Sequence, residues 1–283
     1  MNYINDFKKS LLSRGLSKST VNTYLAILTK FKEYLISKYD SAEFTAVTAL
    51  DIADYRRYLV DQGKKPATVN LSLDALRSFY KWATAEQIVS INPVTGVKRV
   101  PEQENAPKWL ERKDLGKFMR AVQKYGSVKD LALINLLLHT GLRISEACSL
   151  MTQDVTIRER SGVLKVREGK GSKYRELPLN ITIRRVLDIY IAESTSKWLF
   201  PGRKTHITTR TAERIISKYG RIADVEVTPH MLRHTFGKML IDAGESLDRV
   251  ATLMGHSDLN TTAKYTRPSI HDLEKAVEKL AWE

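Results

Sequence analysis

The sequence predicts a mainly α protein of two domains, an all-helical N-terminal one and a mostly helical C-terminal one that carries a small antiparallel β-sheet. Three observations predict it. Apolar residues recur at helical spacing from Ile4 to Trp82, and a proline-, glycine- and charge-rich stretch then interrupts the pattern between Asn92 and Pro107. Beyond it the helical spacing resumes, broken by two short β-prone runs around a glycine-containing loop. The domains are therefore drawn at 1–92 and 108–283, with 93–107 as a linker. A chain of 283 residues with 42% hydrophobic and 28% charged residues can build two such cores.

In the first domain Gly15 ends one helix, and Ser17 or Ser19 can cap the next, where Tyr24, Ile27, Leu28, Phe31 and Leu35 form an apolar stripe. Gly63 closes a third helix, and Pro66 suits the first turn of a fourth. Lys18, Lys30, Lys32, Arg56, Arg57, Lys64 and Lys65 lie off these stripes, where phosphate contacts are available to them. In the stretch after Asn92, Pro93, Gly96, Lys98, Arg99, Pro101, Glu102, Gln103, Glu104 and Pro107 leave little to bury. The second domain opens with helices expected over 110–125 and 128–150, the latter with Leu131, Ile134, Leu137 and Leu138 on its buried face. Strands are expected over 163–167 and 174–179, joined by the loop around Gly169-Lys170-Gly171-Ser172-Lys173. Thr228 can cap a helix whose first residue is Pro229. A last helix over 269–281 begins at Ser269 and carries Ile270, Leu273, Val277 and Leu280 as an apolar stripe.

Charge and cysteine content narrow the function. A net charge of +14 attracts polyanions. Residues 1–107 hold 15 Lys/Arg against 11 Asp/Glu, and residues 108–283 hold 31 against 21, so the second domain carries more of the excess. The lone Cys148 excludes an internal disulfide and fits a small buried hydrophobe. No run approaches the roughly 20 apolar residues of a membrane span, and the segment Met1–Lys9 is not a signal peptide, so a cytoplasmic protein without a membrane partner is expected.

Four local features can carry chemistry. In Thr140-Gly141-Leu142-Arg143-Ile144-Ser145-Glu146 the arginine and glutamate are three apart, either a surface ion pair or a phosphate-gripping guanidinium held by a carboxylate. His230 and Arg233, also three apart, project from the start of a helix, where an anion is favoured. His230 and His234 at four-residue spacing also permit a zinc reading, although the glutamate of a zinc hydrolase motif is missing between them. Gly255-His256 precedes Tyr265 by nine positions, and Lys170 sits in the hairpin loop. Each has an ordinary reading as a helix end, a core tyrosine or a solvated lysine. Together they supply a nucleophile, cations for non-bridging oxygens and a proton donor, the parts that phosphoryl transfer at a DNA phosphodiester requires.

In that order, Arg143, Lys170, His230 with Arg233, His256 and Tyr265 resemble the active-site pattern of the tyrosine recombinase (lambda integrase) family. The likeness spans nearly the whole chain. Leu16-Ser17-Lys18-Ser19-Thr20 and Arg77-Ser78-Phe79-Tyr80-Lys81-Trp82 look like the core-binding (SAM-like) DNA-binding domain of its Xer type, and two domains without an arm-binding module fit that type. The resemblance implies that Tyr265 is the nucleophile, that Arg143 and Arg233 stabilise the transition state, and that His256 hydrogen-bonds a non-bridging oxygen. It also implies Lys170 as general acid, His230 as an aid to deprotonation and Glu146 as support. It implies no metal and no cofactor. The partners it implies are double-stranded DNA at two recombination sites and further copies of the chain, a tetramer on DNA and a monomer or dimer when free, with an activating protein left open. Resolution of chromosome dimers at a dif-like site is the expected task, with integration or excision of a mobile element as the alternative. A type IB topoisomerase or a catalytically inactive DNA-binding factor fits less well. Tyr265-Thr266-Arg267-Pro268 departs from the Tyr-Thr-His of many relatives.

Overall fold

In the computed structural model the chain divides into two compact units, Met1–Glu104 and Asn105–Glu283. The structure describes residues 3–40, 43–102, 107–167, 174–255, 259–266 and 277–278.

The first unit holds α1 (Tyr3–Ser13), α2 (Lys18–Tyr39), α3 (Ala49–Asp61) and α4 (Pro66–Ala85). Ser17, not Ser19, caps α2, accepting the Thr20 N–H at 3.1 Å. At α3 the cap is reciprocal: Thr48 Oγ1 accepts from the Asp51 N–H, and the Asp51 carboxylate accepts the Thr48 N–H at 2.8 Å. Pro66, which has no N–H to leave unpaired, starts α4. The core is aromatic. Phe7 meets Phe79 edge-on at 5.3 Å and Phe31 lies 4.8 Å from Tyr55, while the buried Tyr80 hydroxyl donates to the Phe44 carbonyl at 3.0 Å.

The stretch after Asn92 buries more than its composition suggests. Val94 is fully buried, and Val97 and Val100 pack against the same core. Asn70, on α4, donates to the Val100 carbonyl at 2.9 Å and accepts the Val100 N–H at 2.8 Å. Arg56 donates to the Lys98 carbonyl, so this arginine serves the fold. Valines at three-residue intervals dock a segment whose prolines and charges suggest only solvent.

The second unit contains α5 (Arg112–Tyr125), α6 (Val128–Thr140), α7 (Ile144–Ser149), β1 (Val155–Ile157), β2 (Gly162–Val166), β3 (Arg175–Pro178), α8 (Ile181–Ala192), α9 (Thr209–Ala223), α10 (Pro229–Asp242), α11 (Leu247–Met254) and α12 (Leu259–Ala263), then a 3-10 turn over Lys264–Thr266. The strands form an antiparallel sheet in the order β1-β2-β3. Val155 pairs with Leu164, and Leu164 with Leu177, which sets one apolar row across the sheet. The three-residue β1 went unseen in the sequence because so short a run has no periodicity. Helix α6 is buried on nearly every face, from Ala132 through Leu138, and is the axis of this core.

The helix expected over 128–150 is two helices. Gly141 closes α6 in the left-handed conformation (φ 61°), and Arg143 is not inside a helix but is the extended residue that precedes α7. Apolar spacing carries through this break because Leu142 and Ile144 still pack inward. Cys148 is buried as expected, and burial pushes its thiol up to about 11. Lys170, His256 and the helix over 269–281, apart from Val277 and Glu278, lie outside the described residues. Among the described residues no helix is long and apolar enough to cross a membrane.

Leu137 is fully buried on this central helix. Leu137→Ala should cost about 2–5 kcal/mol through lost burial and an unfilled cavity, read as a lower midpoint in urea unfolding followed by circular dichroism.

Candidate active site

Three arginines from three parts of the second unit meet at one turn. Arg233 enters from α10, whose start is fixed by Thr228 Oγ1 accepting the Met231 N–H at 3.2 Å and by Pro229 in the first turn. Its side chain runs inward, leaving the residue 4% exposed, and donates to the carbonyls of Gly141 and Met254. Arg143, just before α7, donates from Nη2 to the Gly255 carbonyl at 3.4 Å and from Nη1 to Glu146 Oε1 at 3.1 Å. Arg175 arrives from β3 and makes a bidentate pair with Glu146, with Nη1 to Oε1 at 3.1 Å and Nη2 to Oε2 at 2.9 Å.

The turn itself depends on glycine. Gly255 has φ 66°, and a Cβ there would stand 2.9 Å from the Arg175 Cζ, so only a residue without a side chain lets the guanidinium lie against this backbone. The turn leads directly into His256.

Glu146 is 2% exposed and carries the charge that holds the cluster together. Burial alone pushes its carboxyl up, but hydrogen bonds from Arg175 and the Arg143 N–H, with the charges of both arginines, outweigh burial and hold it below the usual carboxylate range. Arg233 is pulled down to about 10 by burial and then by the neighbouring Arg143, and so stays charged at neutral pH.

Tyr265 stands at the edge of this charge. It is 1% exposed, with its ring packed on Val250, Met254 and Phe236, and its hydroxyl is hydrogen-bonded to His234 Nδ1 at 2.7 Å. Burial pushes the phenol up to about 12, against the pull of Arg233. His234 is pulled down to about 4 by burial, then by His230 and Arg233, so its ring is neutral. His230 is exposed, its ring 6.2 Å from that of His234.

Of the residues singled out from the sequence, Arg143, Glu146 and Arg233 thus come together, with Tyr265 close enough to Arg233 for each to shift the other's ionisation. His230 lies one helical turn from the histidine that holds Tyr265, and Lys170 and His256 fall outside the described residues. Arg175 went unnoticed. A signal existed: Arg175 and Leu177 share one face of β3, and Leu177 is buried, so a basic residue at the inward period invited a buried partner. The spacing that permits a zinc reading of His230 and His234 instead sets His234 where its Nδ1 meets the tyrosine hydroxyl.

Known proteins match the chain over nearly its whole length. The model of the Phage integrase family matches residues 108–271, and that of the Phage integrase, N-terminal SAM-like domain, matches residues 4–87. The tyrosine recombinase XerA of Pyrococcus furiosus is 31% identical, covering 98% of this chain and 93% of its own. The tyrosine recombinase XerD of Oceanobacillus iheyensis is 30% identical, covering 93% and 92%. Among solved structures, the XerH site-specific recombinase bound to palindromic difH substrate superimposes with a TM-score of 0.79 at 23% identity, over 94% of this chain and 81% of that one. A lambda integrase(75-356) dimer bound to a COC' core site gives 0.77 at 19% identity, over 94% and 96%. With its family models, its relatives and its fold in agreement, the chain belongs to the phage integrase family and is a site-specific tyrosine recombinase, an enzyme that cleaves and rejoins DNA.

Proposed function

We propose that Tyr265 is the nucleophile of this recombinase, and that Arg143 and Arg233 hold the non-bridging oxygens of the scissile phosphate. The observation that carries the reading is the convergence of Arg143, Arg233, Glu146 and the Met254–Gly255 turn beside a tyrosine, from segments far apart in the chain. The Tyr265 oxygen forms a bond to phosphorus as the bond to the 5′-oxygen breaks. The phenol proton passes to a base, and Lys170 protonates the leaving oxygen. A 3′-phosphotyrosyl link and a free 5′-hydroxyl result, and attack by a partner strand's hydroxyl reverses the step and joins new strands. The phosphotyrosyl bond conserves the energy of the broken one, so no nucleotide is consumed.

His256 completes the grip on the phosphate, and Glu146 orients Arg143. The resemblance gives His230 a part in deprotonating Tyr265. In this structure the Tyr265 hydroxyl lies on His234, whose ring is 6.2 Å from that of His230.

The first unit (1–92, with 93–107 as the connection) and the second grip duplex DNA, supported by the net charge of +14. Four copies act on two sites, while the free protein is a monomer or dimer. The task we propose is resolution of chromosome dimers at a dif-like site in the cytoplasm, in keeping with the likeness to a XerH recombinase bound to a difH substrate. Recombination confined to the ends of a mobile element would replace that task with integration or excision.

The test is incubation with a nicked duplex carrying a candidate site, in EDTA, followed by denaturing electrophoresis. Wild type should yield a covalent protein–DNA adduct, and its absence on every site that binds tightly would overturn the assignment. Tyr265→Phe should form no adduct while its DNA affinity, measured by gel shift, is nearly unchanged. Arg143→Lys keeps the charge but loses the fork, and should slow single-turnover cleavage roughly 10²–10³-fold.

The neutral His234 also sets a pH dependence. Its folded value, about 4, lies below the ordinary histidine value of 6.5, so the unfolded chain binds more protons between them and stability falls as pH drops through that window. Urea midpoints from pH 7 to pH 4 should decline for wild type, and less steeply for His234→Gln.

A further inference from the structure

We infer that Arg175 is a positioning residue for strand cleavage: by neutralising Glu146 it lets that carboxylate orient Arg143 without cancelling the charge Arg143 presents to the phosphate. This rests on the reading of Arg143, Arg233 and Tyr265 given above.

The geometry leads there through the sharing of one carboxylate. Glu146 accepts from both Arg143 and Arg175, but Arg175 takes it bidentately, whereas the Arg143 side chain makes one bond at 3.1 Å and turns its other terminal nitrogen to the Gly255 carbonyl. The Arg175 side chain is 14% exposed against 27% for Arg143, so Arg175 is the inner partner and Arg143 the one open to a ligand. Its place is fixed by β3, where it pairs across the sheet with Val166, and by the bare backbone of Gly255.

The charge count decides what this pairing does. Arg143, Arg175 and Arg233 against Glu146 leave two net positive charges. A phosphodiester brings one negative charge and an attacking phenolate a second, so the pentacoordinate state carries two. Without Arg175 the cluster would carry one, matching the ground state better than the transition state. Complementarity to the transition state is what accelerates the chemical step. The Arg175 terminal nitrogens face Glu146, so its effect reaches the phosphate through Arg143 and through the summed charge.

The experiment compares single-turnover cleavage of a nicked phosphodiester duplex with that of the same duplex bearing a methylphosphonate at the scissile position, which removes one negative charge. On the phosphodiester, Arg175→Gln should lower the cleavage rate ~100-fold with DNA affinity by gel shift within about threefold. On the methylphosphonate its deficit relative to wild type should shrink to within about tenfold, because a transition state with one charge fits the cluster that remains. Glu146→Gln combined with Arg175→Gln restores two net charges and should recover about tenfold over Arg175→Gln alone. Arg175→Lys, which keeps the charge in case the glutamine variant does not fold, should be slowed less than Arg175→Gln and equally on both substrates. Equal deficits of Arg175→Gln on the two substrates, or no recovery in the double variant, would overturn the inference. If Arg175→Gln is unfolded, a deficit of Arg175→Lys that differs between the substrates does the same. A wild-type protein that forms no adduct, in contrast, would remove the proposed function itself.

Discussion

The second unit is organised around one buried carboxylate. Isolating Glu146 from water is costly, and removing a partner from such a buried pair typically costs several kcal/mol because a charge is stranded. Its oxygens are met by the Arg143 side chain and N–H and by both terminal nitrogens of Arg175. These contacts tie the start of α7 to β3. Through Arg143 and Arg175 they also reach the Gly255 turn at the end of α11. The bidentate pair of Arg175 with Glu146 leaves little room, since bidentate geometry fixes direction as well as distance.

Three like charges gathered in one place repel, and the fold offsets this with oxygen atoms of two kinds. One is the full negative charge of Glu146. The other is the set of backbone carbonyls at the C-terminal ends of helices, which carry partial negative charge and lack intrahelical partners. Arg233 takes one such carbonyl from the end of α6 (Gly141) and one from the end of α11 (Met254), and Arg143 takes that of Gly255. The left-handed glycines at 141 and 255 therefore do more than end helices: they turn these carbonyls toward the arginines. Desolvation still shows in Arg233, whose pKa is drawn down to about 10.

Much of this was legible in the sequence, and the exceptions share a cause. Gly15, Ser17, Gly63, Pro66, Thr228 and Pro229 announce helix boundaries because capping and positive φ demand particular residue types. The core stripe of α2 is readable for the same reason, with Leu28, Phe31 and Leu35 buried as their spacing requires. What local pattern misses is contact between distant segments. The break at Gly141 is masked because Leu142 and Ile144 continue to pack inward, and Val94 is buried in a core built mostly of residues distant in the chain. Arg175 is invisible for a related reason, since a lone arginine in a four-residue strand means little until Glu146 is found beneath it. His234 differs again: its spacing from His230 was plain, but only the fold shows that Tyr265 comes to its ring.

The energetic order of events follows from where these costs are met. Bringing three guanidiniums together, burying Glu146 and pulling Arg233 out of water are all unfavourable steps, and folding of the second unit meets them before any anion arrives. In the proposed reading, an entering phosphate meets positive charge whose assembly the fold has already met. The tyrosine stands on the opposite side of this balance. Its phenol is raised to about 12 and hydrogen-bonded to a neutral His234, so at neutral pH it is held protonated beside, but not within, the cationic cluster. Moving it into the field of Arg143 and Arg233 reverses both effects at once: burial no longer opposes ionisation, and positive charge favours it. If Tyr265 is the nucleophile, as proposed, packing keeps it apart from the charge that would activate it.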